Sequence, residues 1–160
     1  MTVHTYEIAL TWTGSTGAGT SSYRAYARDH EVTASGRPPL LGSSDPAFRG
    51  DATRWNPEQL YVASIAQCHM LWYLHLAAQA GVTVTAYEDR PTAVMLEEPS
   101  GAGRFESVTL RPSVTIASGS DPGTAAALHD RVGDYCFIAR SVRTPIHHEV
   151  AVRVEDPVVG

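Results

Sequence analysis

The chain has 160 residues, 43% of them hydrophobic and 18% charged, with a formal net charge of −5 and a pI near 5.7. This is enough for one soluble domain with a proper core, and the acidic balance leaves no basic face for a nucleic-acid partner. No apolar run reaches the roughly 18 residues of a membrane span, and the opening MTVHTYEIALTWTG lacks a basic segment followed by an apolar run, so the expected setting is the cytoplasm.

Over residues 2–13, Val3, Tyr6, Ile8, Leu10 and Trp12 recur at mostly period-two spacing and predict a strand. The glycine-rich TGSTGAGTSS follows, then a second alternating run over 23–34 that pairs most simply with the first as a hairpin. A phosphate cradle is the other reading of GSTGAG, but no GK[ST] and no helix signal follow it. Residues 35–55, dense in Gly, Pro, Ser and Asp, predict a long loop. Loops beyond about 12–15 residues are often functional, and this one carries Arg37, Arg49 and Arg54.

The clearest helix lies over 56–81, NPEQLYVASIAQCHMLWYLHLAAQAG. Asn56 can cap it, Pro57 suits the first helical position, Glu58 favours the positive end of the dipole and Gly81 can close it in a left-handed conformation. Leu60, Val62, Ile65, Met70, Leu71, Trp72, Leu74 and Leu76 fall on nearly every side of a 3.6-residue wheel, which predicts burial on most of the circumference. Cys68 sits at the midpoint.

Two β-rich runs, VTVTAYEDRPTAVMLEE and RFESVTLRPSVTIASG, flank PSGAG and predict a hairpin of long strands. Asp121-Pro122 starts a second helix to about Val132, where Gly133 breaks it. Asp134 can cap a short further helix, DYCFIARSV, with Cys136 in its first turn, and residues 147–154 alternate as a closing strand. The order has no βαβ rhythm, so the predicted class is α+β with helices on an antiparallel sheet.

In a reducing compartment the two cysteines are either inert core residues or a transient redox pair, and no CxxC motif decides between these. A cysteine in apolar surroundings has its pKa raised, so a nucleophilic Cys68 needs a cation. An arginine within about 4–6 Å favours the thiolate by 1–3 pK units, and a carboxylate fixes its planar fork. Plainer readings stand beside each residue: a mid-helix cysteine is usually core filler, Glu58 serves the helix dipole equally well, and loop arginines are usually solvated. Trp55, Trp72, Tyr73 and Phe137 fit either an apolar pocket or ordinary core. Neither Cys68, His69 and His75 nor His147 and His148 has the spacing of a structural zinc site, so no metal is expected.

The run NPEQLYVASIAQCHM, with a cysteine ten positions after Glu58, together with the distant Cys136, resembles the OsmC/Ohr family of thiol-dependent organic hydroperoxide reductases. The resemblance spans essentially the whole chain, 1–160, as one OsmC-like domain. It implies antiparallel sheets packed on a long central buried helix, and an intertwined homodimer with active sites at the subunit interface. It also implies a peroxidatic Cys68, a resolving Cys136, an arginine that holds the thiolate and a Glu58 that positions the arginine. The Ohr branch carries its arginine in the early hairpin loop, which here has none; the OsmC position, in the loop before Asn-Pro-Glu, points to Arg49 in AFRGD, with Arg54 second. Cys136 is followed by Phe137 where many relatives have proline.

Ten residues at 1.5 Å rise put Glu58 roughly 15 Å along the helix from Cys68. Either a loop arginine bridges the two, or Glu58 completes the site of a partner whose central helix crosses antiparallel. The implied chemistry needs no cofactor: Cys68 reduces an organic hydroperoxide to the alcohol, its sulfenic acid condenses with Cys136, and an external thiol or dithiol resets the pair as an antioxidant defence. A Cys136 near a helix N-terminus has its thiolate favoured. The alternative is a non-catalytic module of the same fold that binds a small apolar ligand.

Overall fold

The computed structural model describes residues 1–156. The chain divides into two compact units, Met1–Tyr61 and Val62–Gly160.

In the first unit β1 (Ala9–Trp12), β2 (His30–Thr33) and β3 (Leu40–Gly42) form an antiparallel sheet in that order, with Leu10 opposite Val32 and Trp12 opposite His30. The expected hairpin is present but short. Val3, Tyr6 and Ile8 have no ladder partner and stay exposed, because the chain before His30 is folded into turns and offers no extended edge. The Trp12 indole N–H donates to the Ala27 carbonyl at 2.9 Å. A Cβ at Gly14 would collide with that same carbonyl, so the glycine is required by a close backbone approach.

The long loop is ordered by its own polar side chains. Asp45 caps a single 3-10 turn, Pro46–Phe48, by accepting from the Ala47 N–H at 2.8 Å, and Arg49 ends it at φ 66. Buried Ser43 donates to Asp29 and accepts from the Asp51 N–H, both at 3.1 Å. The loop then delivers α1 (Pro57–Gln79) through a reciprocal cap: Asn56 Oδ1 accepts from the Gln59 N–H at 2.8 Å, and Gln59 Oε1 accepts from the Asn56 N–H at 3.2 Å. At the other end Gly81 stands at φ 73 and the Val82 N–H donates to the Ala77 carbonyl at 2.9 Å, closing the helix as its sequence predicts.

Burial on α1 is narrower than expected. Ile65, His69, Tyr73, Leu76 and Ala77 form one buried stripe, whereas Leu71 is 61% exposed. The apolar wheel holds more surface than the elements of a single chain cover.

The second unit holds two three-stranded sheets: β4 (Val84–Asp89), β7 (Pro112–Ile116) and β9 (Ala151–Val154), and β5 (Thr92–Glu97), β6 (Gly103–Leu110) and β8 (Ile146–His148). The expected pair of long strands is therefore four shorter ones. Each run breaks at its Arg-Pro step, Arg90-Pro91 and Arg111-Pro112, because proline has no N–H to give to a ladder. The last segment also divides. Its two strands, β8 and β9, run parallel to β6 and β7, so the sheets are rich in antiparallel pairs without being purely antiparallel.

Between them, α2 (Pro122–Val132) starts where the Asp121 carboxylate accepts from the Thr124 N–H at 2.6 Å. The further helix expected over DYCFIARSV is only a 3-10 turn, Ala139–Ser141. The N–H groups of Asp134, Tyr135 and Cys136 are used to wind down α2 against the carbonyls of Arg131 and Val132. Asp134 thus ends one helix rather than starting another.

Tyr73 ties the two helices together. It is fully buried, its hydroxyl donates to the Ala125 carbonyl at 3.1 Å and its ring stacks on His129 at 3.9 Å between centroids. Tyr73→Ala is expected to cost about 3–5 kcal/mol of unfolding free energy, and Tyr73→Phe only about 1 kcal/mol for the hydrogen bond. Urea denaturation of the two variants checks this, and equal losses would contradict it.

Candidate functional site

Cys68, half-buried on α1, and Cys136, 1% exposed in the turn after α2, are both free thiols in one apolar cluster. Sixty-eight residues apart in sequence, they are hydrogen-bonding neighbours in space. Burial pushes the Cys136 thiol up to about 11, and the Cys68 thiol beside it adds to the rise. The Ala139 N–H, 3.4 Å from Cys136 Sγ, and the Ile138 N–H pull the other way without prevailing. The expectation that a helix N-terminus favours the Cys136 thiolate is therefore corrected: no helix starts at Cys136, and desolvation wins.

Aromatic rings gather beside the thiols. Trp72, one helical turn along from Cys68, stacks on Tyr135 at 5.3 Å and meets Phe137 edge-on at 5.7 Å, so the two neighbours of Cys136 bracket one indole. Phe137 is 66% exposed, whereas Tyr73 belongs to the core. Trp55 lies in the first unit and is exposed there.

Three histidines that sequence reasoning did not single out as a group complete this region. His69 Nε2 lies 2.9 Å from His129 Nδ1, and the His148 ring is 4.6 Å from that of His69. A cavity of about 260 Å³ has Cys136, His69 and His148 on its wall among Ile65, Leu110 and Val132. Burial, with the neighbouring His148 and His129 adding, lowers His69 to about 3. Burial and His148 lower His129 to about 4. His148 is lowered too, by burial, although Asp130 and Asp89 oppose the change. All three are therefore neutral at pH 7. The only local signal was a histidine placed i+4 from Ile65 and i−4 from Tyr73 on the buried stripe of α1. Among the described residues no group of three or more His, Cys, Asp or Glu side chains is arranged to hold a metal ion.

The other candidates, Arg49, Arg54 and Glu58, lie in the first unit. Arg49 is exposed, and no hydrogen bond or ion pair of its guanidinium is found among the described residues. Arg54 is anchored by its Nε, 3.5 Å from Asp29 and 3.8 Å from Asp51, while its Nη1 is buried with no partner. The Thr53 N–H and hydroxyl hold the Asp51 carboxyl below its usual range, and Arg54 adds to this. Glu58, in the first turn of α1, likewise has its Oε2 buried and unpartnered. An unmatched cationic donor and an unmatched carboxylate oxygen are thus both withdrawn from solvent within this unit.

A family model described as OsmC-like protein matches residues 50–151. No curated protein matches the chain. Among solved structures, an OsmC-like protein of unknown function from Vibrio cholerae is 26% identical, with a TM-score of 0.84 over 92% of this chain and 99% of its own. An organic hydroperoxide resistance protein from Legionella pneumophila shares the fold at 17% identity and a TM-score of 0.64, over 96% of this chain and 100% of its own. One from Bacillus subtilis does so at 19% and 0.59, over 94% of this chain and 98% of its own.

Proposed function

The chain belongs to the OsmC-like protein family, and from that premise we propose that it is a cysteine-based peroxidase reducing organic hydroperoxides to alcohols. The observation that carries this reading is the meeting of its two cysteines: a partly buried Cys68 and a buried Cys136 against it. The names of the Legionella and Bacillus structures, both organic hydroperoxide resistance proteins, support the same reading.

In this account the Cys68 thiolate attacks the O–O bond and the alcohol leaves. The resulting sulfenic acid condenses with the Cys136 thiol, releasing water, and an external thiol or dithiol of a reducing compartment such as the cytoplasm restores the pair. Trp72 and Phe137 favour the apolar part of an organic hydroperoxide over hydrogen peroxide. A peroxidase assay comparing a bulky alkyl hydroperoxide with hydrogen peroxide, across several thiol donors, tests this. A clear preference for the alkyl substrate is expected, and equal or absent turnover of both contradicts it.

An arginine of the approach loop, Arg49 or Arg54, holds the Cys68 thiolate, and Glu58 holds the arginine. Arg54 has the stronger physical case, since a buried guanidinium N–H without a partner costs about 1–3 kcal/mol or more unless something accepts from it. Arg54→Gln is expected to lower kcat/KM for the alkyl hydroperoxide by about 10²–10³, the size of effect seen when one preorganised donor to a developing charge is removed. Arg49→Gln is the comparison, and the larger loss identifies the activating residue.

The helix is continuous from Glu58 through Cys68, so the roughly 15 Å between them along the axis stands. We accordingly assign Glu58 to the site of a partner subunit, in a homodimer whose central helices cross antiparallel and cover the apolar flank that includes Leu71. Light scattering should give a dimer, and a fully active monomer would exclude the arrangement.

A further inference from the structure

We propose that His148 is the proton acceptor for the Cys136 thiol as that thiol attacks oxidised Cys68. The inference deepens the two-cysteine reading and rests on it.

Cys136 has to lose its proton to become a nucleophile, and burial makes this difficult. With a pKa near 11 only about one thiol in 10⁴ is ionised at pH 7. A neutral imidazole sharing its cavity removes that obstacle, since it accepts the proton during the attack rather than before it. The cavity wall offers two, His69 and His148, among neighbours that are apolar except for Thr144.

They are not equivalent. His69 Nε2 is engaged with His129 Nδ1 at 2.9 Å, and His129 is not on the cavity wall. His148 sits on β8, its side chain turned inward while that of His147 is exposed. It is faced by Asp130 from α2 and Asp89 from β4, with His69 against its ring and His129 and His147 nearby. The two carboxylates favour a protonated His148, an offset that neither His69 nor His129 has. Asp89 is also placed for this task. Its Oδ1 accepts from the Arg111 N–H at 2.7 Å, but its Oδ2 is buried and uncommitted, so carboxylate charge remains available when imidazolium forms.

Cys136 Sγ attacks Cys68 Sγ of the sulfenic acid left by the organic hydroperoxide; the S–S bond forms as the S–O bond breaks. The Cys136 sulfur is oxidised and the Cys68 sulfur reduced by one level each. The thiol proton passes to His148 and on to the departing hydroxide, which leaves as water.

The test replaces the hydroperoxide with dithiodipyridine, acting on the reduced full-length protein. Cys68, the less buried of the two thiols, releases one thione as it forms the pyridyl disulfide, and Cys136 releases the second as it closes the bridge. In His148→Gln and His148→Asn the second release at pH 7 is expected to slow by about 10²-fold relative to wild type. The deficit should close as the pH approaches about 11, where the thiol ionises unaided. His147→Gln should match wild type. An unchanged second release at pH 7, a deficit of the same size at every pH, or no second release in wild type would each overturn the proposal. Because the reagent stands in for the substrate, a Cys68 that ignores organic hydroperoxides would sink the peroxidase reading and leave this readout intact.

Discussion

Cys68→Ser is expected to abolish hydroperoxide turnover, with kcat/KM falling by about 10⁴ or more, since deleting a covalent nucleophile elsewhere costs up to about 10⁶. The loss has a specific origin. A serine hydroxyl is far less acidic than a thiol, so no nucleophile exists for the O–O bond. Cys136→Ser should behave differently: its Cys68 still reduces peroxide, but without a resolving thiol excess hydroperoxide drives it on to sulfinic acid. A coupled thiol-oxidation assay reads the first effect and intact-mass spectrometry the second. If Cys68→Ser retains a tenth of wild-type turnover, the chemistry does not pass through Cys68. If Cys136→Ser resists overoxidation and turns over normally, Cys136 is not the resolving residue.

The second large effect concerns stability in acid. His69 near 3 and His129 near 4 lie below the ordinary histidine value of 6.5 because burial disfavours their charge. Below pH 6.5 the unfolded chain therefore binds protons that the folded chain refuses, and stability falls as the pH falls. The slope is roughly 1.4 kcal/mol per pH unit for each histidine, continuing toward pH 4 before the folded state begins to take up protons itself. Between pH 7 and pH 5 the pair accounts for a loss of about 4 kcal/mol, a large share of the 5–15 kcal/mol typical of a domain. His148, lowered in the same direction, adds to it. Urea midpoints at the two pH values measure the loss, and from about one pH unit above 6.5 these histidines should contribute almost no slope. A double variant, His69→Gln with His129→Gln, should flatten the acid limb even where it lowers stability overall. An unchanged midpoint at pH 5 in wild type would contradict the account.

The parts of this fold legible in the sequence were those fixed by local punctuation. Asn56, Pro57 and Gly81 bound α1 because capping and left-handed closure need only residues within one turn. Asp121 and Pro122 did the same for α2. Other signals were present but outweighed: Gln59 completes the cap of Asn56, and the two Arg-Pro steps divide each long β run, although the continuous apolar pattern read as single strands. What could not be read was whatever depends on distant segments meeting. The parallel pairing of β8 and β9 is a matter of topology, and no local pattern distinguishes it. The histidine cluster joins α1, α2 and β8, with His69 and His129 sixty residues apart. The run DYCFIARSV predicts a helix start at Cys136, where its thiolate would be favoured. Its true surroundings, a closed turn packed against Cys68, reverse the sign of the shift.

One measurement bears most directly on the claim that the adjoining thiols are a redox pair. Reduced protein is treated with one equivalent of an alkyl hydroperoxide, quenched with an alkylating reagent and mapped by peptide mass spectrometry. A Cys68–Cys136 disulfide formed in proportion to the hydroperoxide consumed is expected, with neither cysteine alkylated. Recovery of both cysteines as alkylated thiols, with the hydroperoxide unconsumed, would contradict it.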